Sequence, residues 1–511
     1  MSAPPRRAIR KPNLGVGVRL SMPPQPVHPS AAAMSSLPAT GRGPELAGRA
    51  ALLWRRGLLL ESMDRKDEAR ENWIALLGYE PSHLGALNRL GELLARAGEN
   101  LLAREVFSEA VARHPSSATS RVNLANLLIK TNELLEARGH LEDALAIDRD
   151  FRAAHAGLAF VLPRLGETEL ATLHGRIAFQ GRCMVGAIYR GERPPIPVLE
   201  LISTRGGNVR IQNFLNDRVF QRHLVAAEFY EPGMLLPPHQ LVVNAIGDAD
   251  VAGPALEGAV ALLAHTTAPV INPPEAVLAT GRFDVALRLA GVPGVITART
   301  ARLERGLLAA PDAAAKLVGL GFEFPLLLRS PGFHGGENFL RLEVAEELPS
   351  ALEALPGREL LVMQHLDARG ADGKCRKYRV LMIDGELYPL HCAVSHNWKI
   401  HFFSAEMAES PEHRAEDAAF LADMPKVLGP RVMDSLRAIH SELGLDYGGI
   451  DFGLDAERNL LLFEANATMV ILPPGADAKW DYRRPAVELI CRAVHAMLIS
   501  KANQGALTKC E

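Results

Sequence analysis

The 511-residue sequence predicts a multidomain chain, with an all-α repeat superhelix ahead of a small α/β layer and a larger α+β region. Three observations carry this. Residues 47 to 181 recur with a period of 34. Near residue 190 the period stops and short β-type runs begin. Close to the C-terminus, "YGGIDFGLDAERN" and "LLFEANATM" pair as a hairpin bearing Asp451, Glu464 and Asn466.

Taken in order, residues 1–46 form a basic arm. The first forty-four hold nine prolines and six Lys or Arg but no acid, which predicts a disordered, solvated segment whose "RRAIRK" is free to touch an acidic partner. Net charge is −3, so a general nucleic-acid partner is not indicated. No apolar run reaches the roughly 18 residues that span a bilayer, and the arm lacks a signal-peptide core. Cysteines at 183, 375, 392, 491 and 510 have no CxxC spacing. That fits a reducing, cytoplasmic setting with neither disulfide framework nor zinc site.

Residues 47–190 are the repeat domain. Gly57, Gly91, Ala125 and Ala159 share one phase of the period, and Ala69, Ala103, Ala137 and Ala171 another. Ala110, Ala144 and Ala178 match farther along, as do Trp73 with Phe107 and Pro81 with Pro115. Small residues at these offsets let two helices approach closely, and the proline ends the unit. The pattern resembles tetratricopeptide repeats in about four units, whose stacking makes a concave groove suited to peptides. A scaffolding or dimerisation surface is the alternative, and a homodimer is compatible with the sequence.

Residues 195–295 predict the small α/β domain. "PVLELIS", "HLVAAEFY" and "HQLVVNAIGD" read as strands, "LEGAVALLAH" as a helix, and "APVINPPEAVLATGRFDVALRLAGVPGV" as a strand with two helical stretches. Residues 296–505 predict the larger region, with strands "FPLLLRS", "LLVMQHL" and "KYRVLMIDGELYPLHCAV", and a short tail follows at 506–511. Asp384-Gly385 is a hairpin-turn signal.

In the last hairpin, a four-residue loop that sets Asp455 opposite Leu460 also sets Asp451 opposite Glu464. Alternation then gives Ile450, Phe452, Leu454, Leu461, Phe463 and Ala465 one face, and Asp451, Gly453, Leu462, Glu464 and Asn466 the other. Carboxylates about 5 Å apart repel by roughly 3 kcal/mol at an effective dielectric near 20. Something positive belongs between them. Magnesium suits three oxygen donors and usually brings substrate phosphates; protonation, or pairing with an arginine, is the other solution.

From about residue 198 to 500 the order of elements resembles the ATP-grasp superfamily, in particular its branch with glutathione synthetase and bacterial glutamate ligases. That resemblance implies an ATP-grasp fold preceded by the small α/β domain, and it assigns Asp451, Glu464 and Asn466 to one or two magnesium ions, or manganese. "LLLRSPGFHGGENF" is similar to the family's phosphate-covering loop, with Arg329 where lysine is usual and Gly332, Gly335 and Gly336 giving backbone N–H groups freedom to approach phosphate. "LLVMQHLD" is similar to its adenine-binding hinge, which implicates Gln364, His365, Leu366 and, for ribose, Asp367. Arg379, with Lys377 two residues earlier, falls at the basic position near the transferred phosphate. No lysine occurs between Lys130 and Lys316, so Arg282 stands in for the family's first phosphate-binding lysine. His391 is a candidate acid–base or cationic group, with His396, Lys399, His401 and Asn397 near it.

The resemblance implies an ATP- and magnesium-dependent ligase that forms a C–N bond between a carboxylate and an amine through an acyl phosphate, on an amino acid, peptide or protein held by the repeats. Two alternatives stand beside it: a nucleotide-binding adaptor without turnover, and an ATP-grasp phosphotransferase. Neither a Walker A loop nor a nucleophile elbow is present.

Overall fold

A computed structural model of the chain describes residues 44–333, 336–402 and 405–507. Most of the arm predicted at 1–46, the residue Gly335 and most of the tail lie outside the described residues. The chain divides into two compact units, Met1–Gly181 and Arg182–Glu511. Among the described residues no helix is long and apolar enough to cross a membrane.

The first unit is built of helix pairs: α1 (Pro44–Ser62) with α2 (Lys66–Tyr79), α3 (Leu84–Ala97) with α4 (Asn100–Arg113), α5 (Ala118–Lys130) with α6 (Leu134–Ile147), and α7 (Arg152–Val161) with α8 (Thr168–Phe179). The small residues of the period lie where helices meet. A methyl group built on Gly57 would fall 2.2 Å from the Trp73 ring, and one on Gly91 2.4 Å from Phe107. Ala69, Ala103 and Ala137 are wholly buried. A charged ladder follows the same period: Arg70 pairs with Glu99 at 2.5 Å, Arg104 with Glu133 at 2.6 Å and Arg138 with Glu167 at 2.6 Å. Each rung ties one repeat's second helix to the turn that closes the next pair.

The second unit holds three sheets. The first has the order β1-β3-β2-β4-β5, from β1 (Met184–Gly186), β2 (Ile196–Ile202), β3 (Phe220–Ala226), β4 (Leu241–Asn244) and β5 (Val270–Ile271). All but β1 run parallel. Strand β3 stops at Ala226, so the "AEFY" predicted as strand turns instead as a short 3-10 helix. Helix α9 (Ala249–Leu263) joins β4 to β5, and α10 (Pro274–Leu278) and α11 (Arg282–Leu289) follow β5.

The second sheet is antiparallel and four-stranded: β7 (Thr300–Glu304), β10 (Glu359–Gln364), β8 (Leu326–Arg329) and β9 (Phe339–Leu342), in that spatial order. The third is β12 (Glu386–Ser395), β11 (Cys375–Ile383), β13 (Tyr447–Leu454), β14 (Leu460–Asn466) and β6 (Val295–Thr297), with β6 parallel to β14. A two-residue turn joins β11 to β12, with Asp384 at φ 48° and Gly385 at φ 92°. The C-terminal helix Arg484–Leu507 shares one apolar core with the first and third sheets, through Val487, Val494 and Leu498 against Val198, Leu241 and Leu381. That core fixes the small parallel sheet relative to the hairpin.

The last hairpin reaches its register by a route that alternation alone does not give. The innermost pair is Leu454 with Leu460, one residue short of the predicted Asp455–Leu460 pair. A bulge between Asp451 and Phe452 absorbs the slip and restores Asp451 opposite Glu464. The predicted faces change accordingly. Leu462 pairs with Phe452 and is buried, whereas Phe463 is the extra residue and is half-buried, its ring 2.9 Å from where a methyl on Gly453 would stand.

Candidate functional site

Strand register brings the acids and their partners together. Arg379 on β11 lies opposite Asp451 on β13, which lies opposite Glu464 on β14. Arg379 Nε and Nη2 donate to the two Asp451 oxygens at 2.5 and 2.7 Å, and Lys377 Nζ donates to Oδ2 at 3.0 Å. Glu464 Oε1 accepts from Arg282 Nη2 at 3.2 Å. Arg282, at the start of α11, also donates its backbone N–H and Nη1 to Asp250 Oδ2 at 3.2 Å.

The charges set the protonation states. Burial works to raise the Asp451 carboxyl, but the Arg379 and Lys377 charges override it and hold the group well below the usual carboxylate range. Glu464 is held down against burial chiefly by Arg282. Both acids are therefore ionised, and the protein's own cations meet them. Pairing with the protein's own cations, the other solution to like-charge repulsion, is therefore seen at both acids: Arg379 and Lys377 meet Asp451, and Arg282 meets Glu464.

Arg329 at the end of β8 is different. Its Nη2 donates to the Phe333 carbonyl at 2.5 Å, its Nε is buried without a hydrogen-bond partner, and its guanidinium lies 5.3 Å from the centre of the Phe339 ring. Burial, then repulsion from Arg282, pulls its pKa down to about 10. A guanidinium with a buried, unpartnered N–H favours an incoming anion.

The three predicted metal ligands differ in fitness for a magnesium ion. Both Asp451 oxygens are engaged as above, and Asn466 Oδ1 accepts from Thr468 N at 2.9 Å and Thr468 Oγ1 at 2.7 Å. Only Glu464, half-buried and held by one long contact, offers ready oxygen donors. Magnesium usually takes one or two protein carboxylates, so Glu464 fits such a role as it stands. Among the described residues no group of three or more His, Cys, Asp or Glu is clustered for a metal.

The remaining predicted residues are placed as follows. Gly332 and Gly336 take φ of 80° and 76°, conformations that suit glycine, in the loop after Arg329. Gln364 spends its amide on Glu323, accepting from the backbone N–H at 3.0 Å and donating to the carbonyl at 2.9 Å. The His365 ring lies 6.2 Å from Trp398, and Leu366 is half-buried just beyond the end of β10. Asp367 is exposed and paired with Arg369 at 2.5 Å. His391 pairs in register with Arg379, its Nε2 is buried without a partner, and burial with the Arg379 charge holds it neutral, well below the ordinary histidine range. His396 faces Glu406 at 3.6 Å, and Asn397 is exposed, its backbone N–H donating to Ser395 Oγ. Burial lowers the His401 pKa, with Lys377 adding to it.

Three participants escaped the sequence. Asp250 anchors Arg282, and no local pattern announces it. Phe339 and Trp398, whose rings stand 5.4 Å apart, join the four-stranded sheet to the segment after β12, where Lys399 Nζ also donates to the Phe339 carbonyl at 3.2 Å. Aromatic residues flanking the glycine loop on both sides were the available signal.

Two tetratricopeptide-repeat family models match this chain, over residues 55–118 and 94–160. These residues carry tetratricopeptide repeats. The inactive TPR repeat-containing thioredoxin TTL3 of Arabidopsis thaliana is 35% identical over 97 residues, 19% of this chain and 14% of that protein, so the chain spans only a small part of that relative's length. Among solved structures, MamA 41-end from Desulfovibrio magneticus RS-1 is 22% identical, covering 26% of this chain and 76% of that one at a TM-score of 0.24. A thermophilic TPR protein of Thermus thermophilus, TTC0263, is likewise 22% identical, over 25% of this chain and 72% of that one, at a TM-score of 0.24.

Proposed function

We propose that the sheet-containing unit is an ATP-grasp enzyme, a ligase that uses ATP and magnesium to join a carboxylate to an amine, and that the repeats recruit its peptide or protein substrate. The observation that carries this is Arg329, a half-buried guanidinium whose buried Nε–H is unused, beside a glycine loop and within electrostatic reach of Arg282 and Glu464. Cationic groups from separate elements, converging with flexible backbone N–H donors, suit a polyphosphate.

In the proposed reaction a substrate carboxylate oxygen attacks the γ-phosphorus, the bond to the β-phosphate oxygen breaks, and ADP leaves with that electron pair. The amine nitrogen then attacks the acyl carbon, phosphate departs, and the amine gives up a proton. Arg329 and Arg282 hold and orient the phosphates, and Arg379 and Lys377 stabilise charge on the transferred group. His391, kept neutral with an unpartnered Nε2, would in this reading accept a hydrogen bond from the attacking amine. Magnesium, held at Glu464, would supply neutralisation of phosphate charge.

The test is to incubate the purified protein with ATP, magnesium and pooled amino acids and peptides, and to follow ADP and condensed products by mass spectrometry, with Glu464→Gln as control. A new amide dependent on ATP is the result this proposal requires; failure of the wild-type chain to bind ATP ends it. Nucleotide binding without turnover is the second possibility, favoured by the engagement of both Asp451 oxygens. ATP bound with no ADP released points there, and a lasting phosphorylated product points to a phosphotransferase.

A further inference from the structure

In the repeat unit, each inner repeat buries one face of its first helix against the pair before it. The residues that match Leu52 in the following repeats are Ala86, Ser120 and Ala154, each 0% exposed. Those that match Leu59 are Leu93, Leu127 and Val161, at 9%, 3% and 0%. On α1 itself Leu52 is 67% exposed and Leu59 59%, with Met63 exposed just beyond the helix end. Residues 52, 55, 56, 59 and 63 share one helical face. It is not the face that looks toward the next repeat, where Trp54 packs over Gly85 and 5.0 Å from the His83 ring.

The centre of the stripe departs from the repeat in sign. Leu90, Leu124 and Leu158 are buried where α1 has Arg56. Arg56 and its neighbour Arg55 are exposed, and neither has a carboxylate partner among the described residues. A helix laid on this face as a preceding repeat helix would lie therefore needs leucine-like side chains to cover Leu52 and Leu59, and acids to meet the arginines.

We propose that the outer face of α1 docks an acidic amphipathic helix of a partner protein, which completes the end of the repeat stack. The stripe from 52 to 63 is about 17 Å long, so three to four helical turns suffice. Two arginines at its centre would repel the same face of a second copy, which argues against self-association.

The probe is a fluorescent peptide of about sixteen residues, with leucines at helical spacing flanked by glutamates, titrated against the full chain by anisotropy. Its partner probe keeps the leucines and replaces glutamate by lysine. The acidic peptide should bind about tenfold or more tighter than the basic one. Leu52→Glu with Leu59→Glu should abolish binding, and Arg55→Glu with Arg56→Glu should invert the preference, all with unchanged circular dichroism because these side chains are solvent-facing. Equal binding of both peptides, or none, overturns the proposal. So does a dimer in light scattering that Leu59→Glu dissolves, or hydrogen-exchange protection of this face that vanishes when residues 1–43 are removed. The outcome is independent of whether the second unit turns over ATP.

Discussion

Replacing Asp451 by asparagine tests whether the hairpin's charges are balanced by the protein itself. The carboxylate is 2% exposed and accepts three hydrogen bonds from Arg379 and Lys377. Asparagine keeps one oxygen acceptor but removes the charge, leaving two cations facing each other in the core of the third sheet. Removing one partner of a buried ion pair costs about 3–5 kcal/mol, a large share of a domain's usual 5–15. The retained acceptor puts the Asp451→Asn loss at the lower end. The freed cations should in turn bind anions, and tripolyphosphate at about a hundred times its Kd would restore about 2.7 kcal/mol. Hydrogen exchange of β11 and β13 in urea, with and without tripolyphosphate, reads both effects. Arg379→Gln in the same background should recover part of the loss, because it removes the surplus charge. In the wild type the depressed carboxyl stabilises the fold above its unfolded value of about 3.9, and this contribution is lost only as pH falls through the folded value. A variant within about 0.5 kcal/mol of the wild type, or tripolyphosphate stabilising both chains equally, would refute the reasoning.

The repeat unit yields three more expectations. Gly57→Ala should cost about 1–3 kcal/mol by overpacking against Trp73, read as a lowered melting temperature; Gly91→Ala should do the same unless Phe107→Leu accompanies it, since Ala125 in the third repeat is matched by Leu141. His155 and His174 set their Nδ1 atoms 2.7 Å apart while His155 Nε2 meets the Arg149 carbonyl at 2.9 Å. Burial, then the neighbouring His155, lowers the His174 pKa, so the folded state binds fewer protons there. The associated stability is complete above the ordinary histidine value of about 6.5 and lost as pH falls through it, so melting of the repeats should drop between about pH 7.5 and 5.5, less steeply in His174→Gln. Arg104→Ala should cost less than about 1 kcal/mol despite contacts to Glu133 and Glu136, because the pair is over a third exposed, and urea melts in high salt should shrink the difference.

Much of this architecture was legible because it is periodic. The repeats show in the small residues at 57, 91 and 125, where steric need leaves few choices. The Arg–Glu ladder has the same period, yet each rung joins residues 29 apart and neither end is demanding in type, so composition hides it. The hairpin shows the opposite hazard. Alternation sets Asp451 opposite Glu464 through a turn that does not form, and the agreement survives only because the bulge at Phe463 cancels the slip. Nothing in "LLLFEAN" marks that bulge, since leucine and phenylalanine suit either side of it. Pairing of charges was the least legible. Arg282 and Glu464 stand 182 residues apart, and Asp250 enters only through Arg282, which it meets from the first turn of α9.

That pairing reverses the order of cause at the site. Opposed acids on a β ribbon call for a metal ion only where the protein supplies no positive charge of its own. Here Arg282, Lys377 and Arg379 answer Asp250, Asp451 and Glu464, and the buried Asp248 also acts on Arg282. Arg329 is a fourth cation, which feels Glu464, Asp250 and Asp248 through space while its Nε has no hydrogen-bond partner. Its unpartnered Nε–H favours an anion first. A triphosphate brought to Arg329 would compete with Asp451 for Arg379 and Lys377, and each donor it wins would leave a carboxylate oxygen bare. Only then would the ribbon face the repulsion that a divalent ion relieves. Under the proposed ATP-dependent reaction, magnesium would therefore be drawn to Glu464 together with the nucleotide, and its binding should be tighter with ATP present than without it.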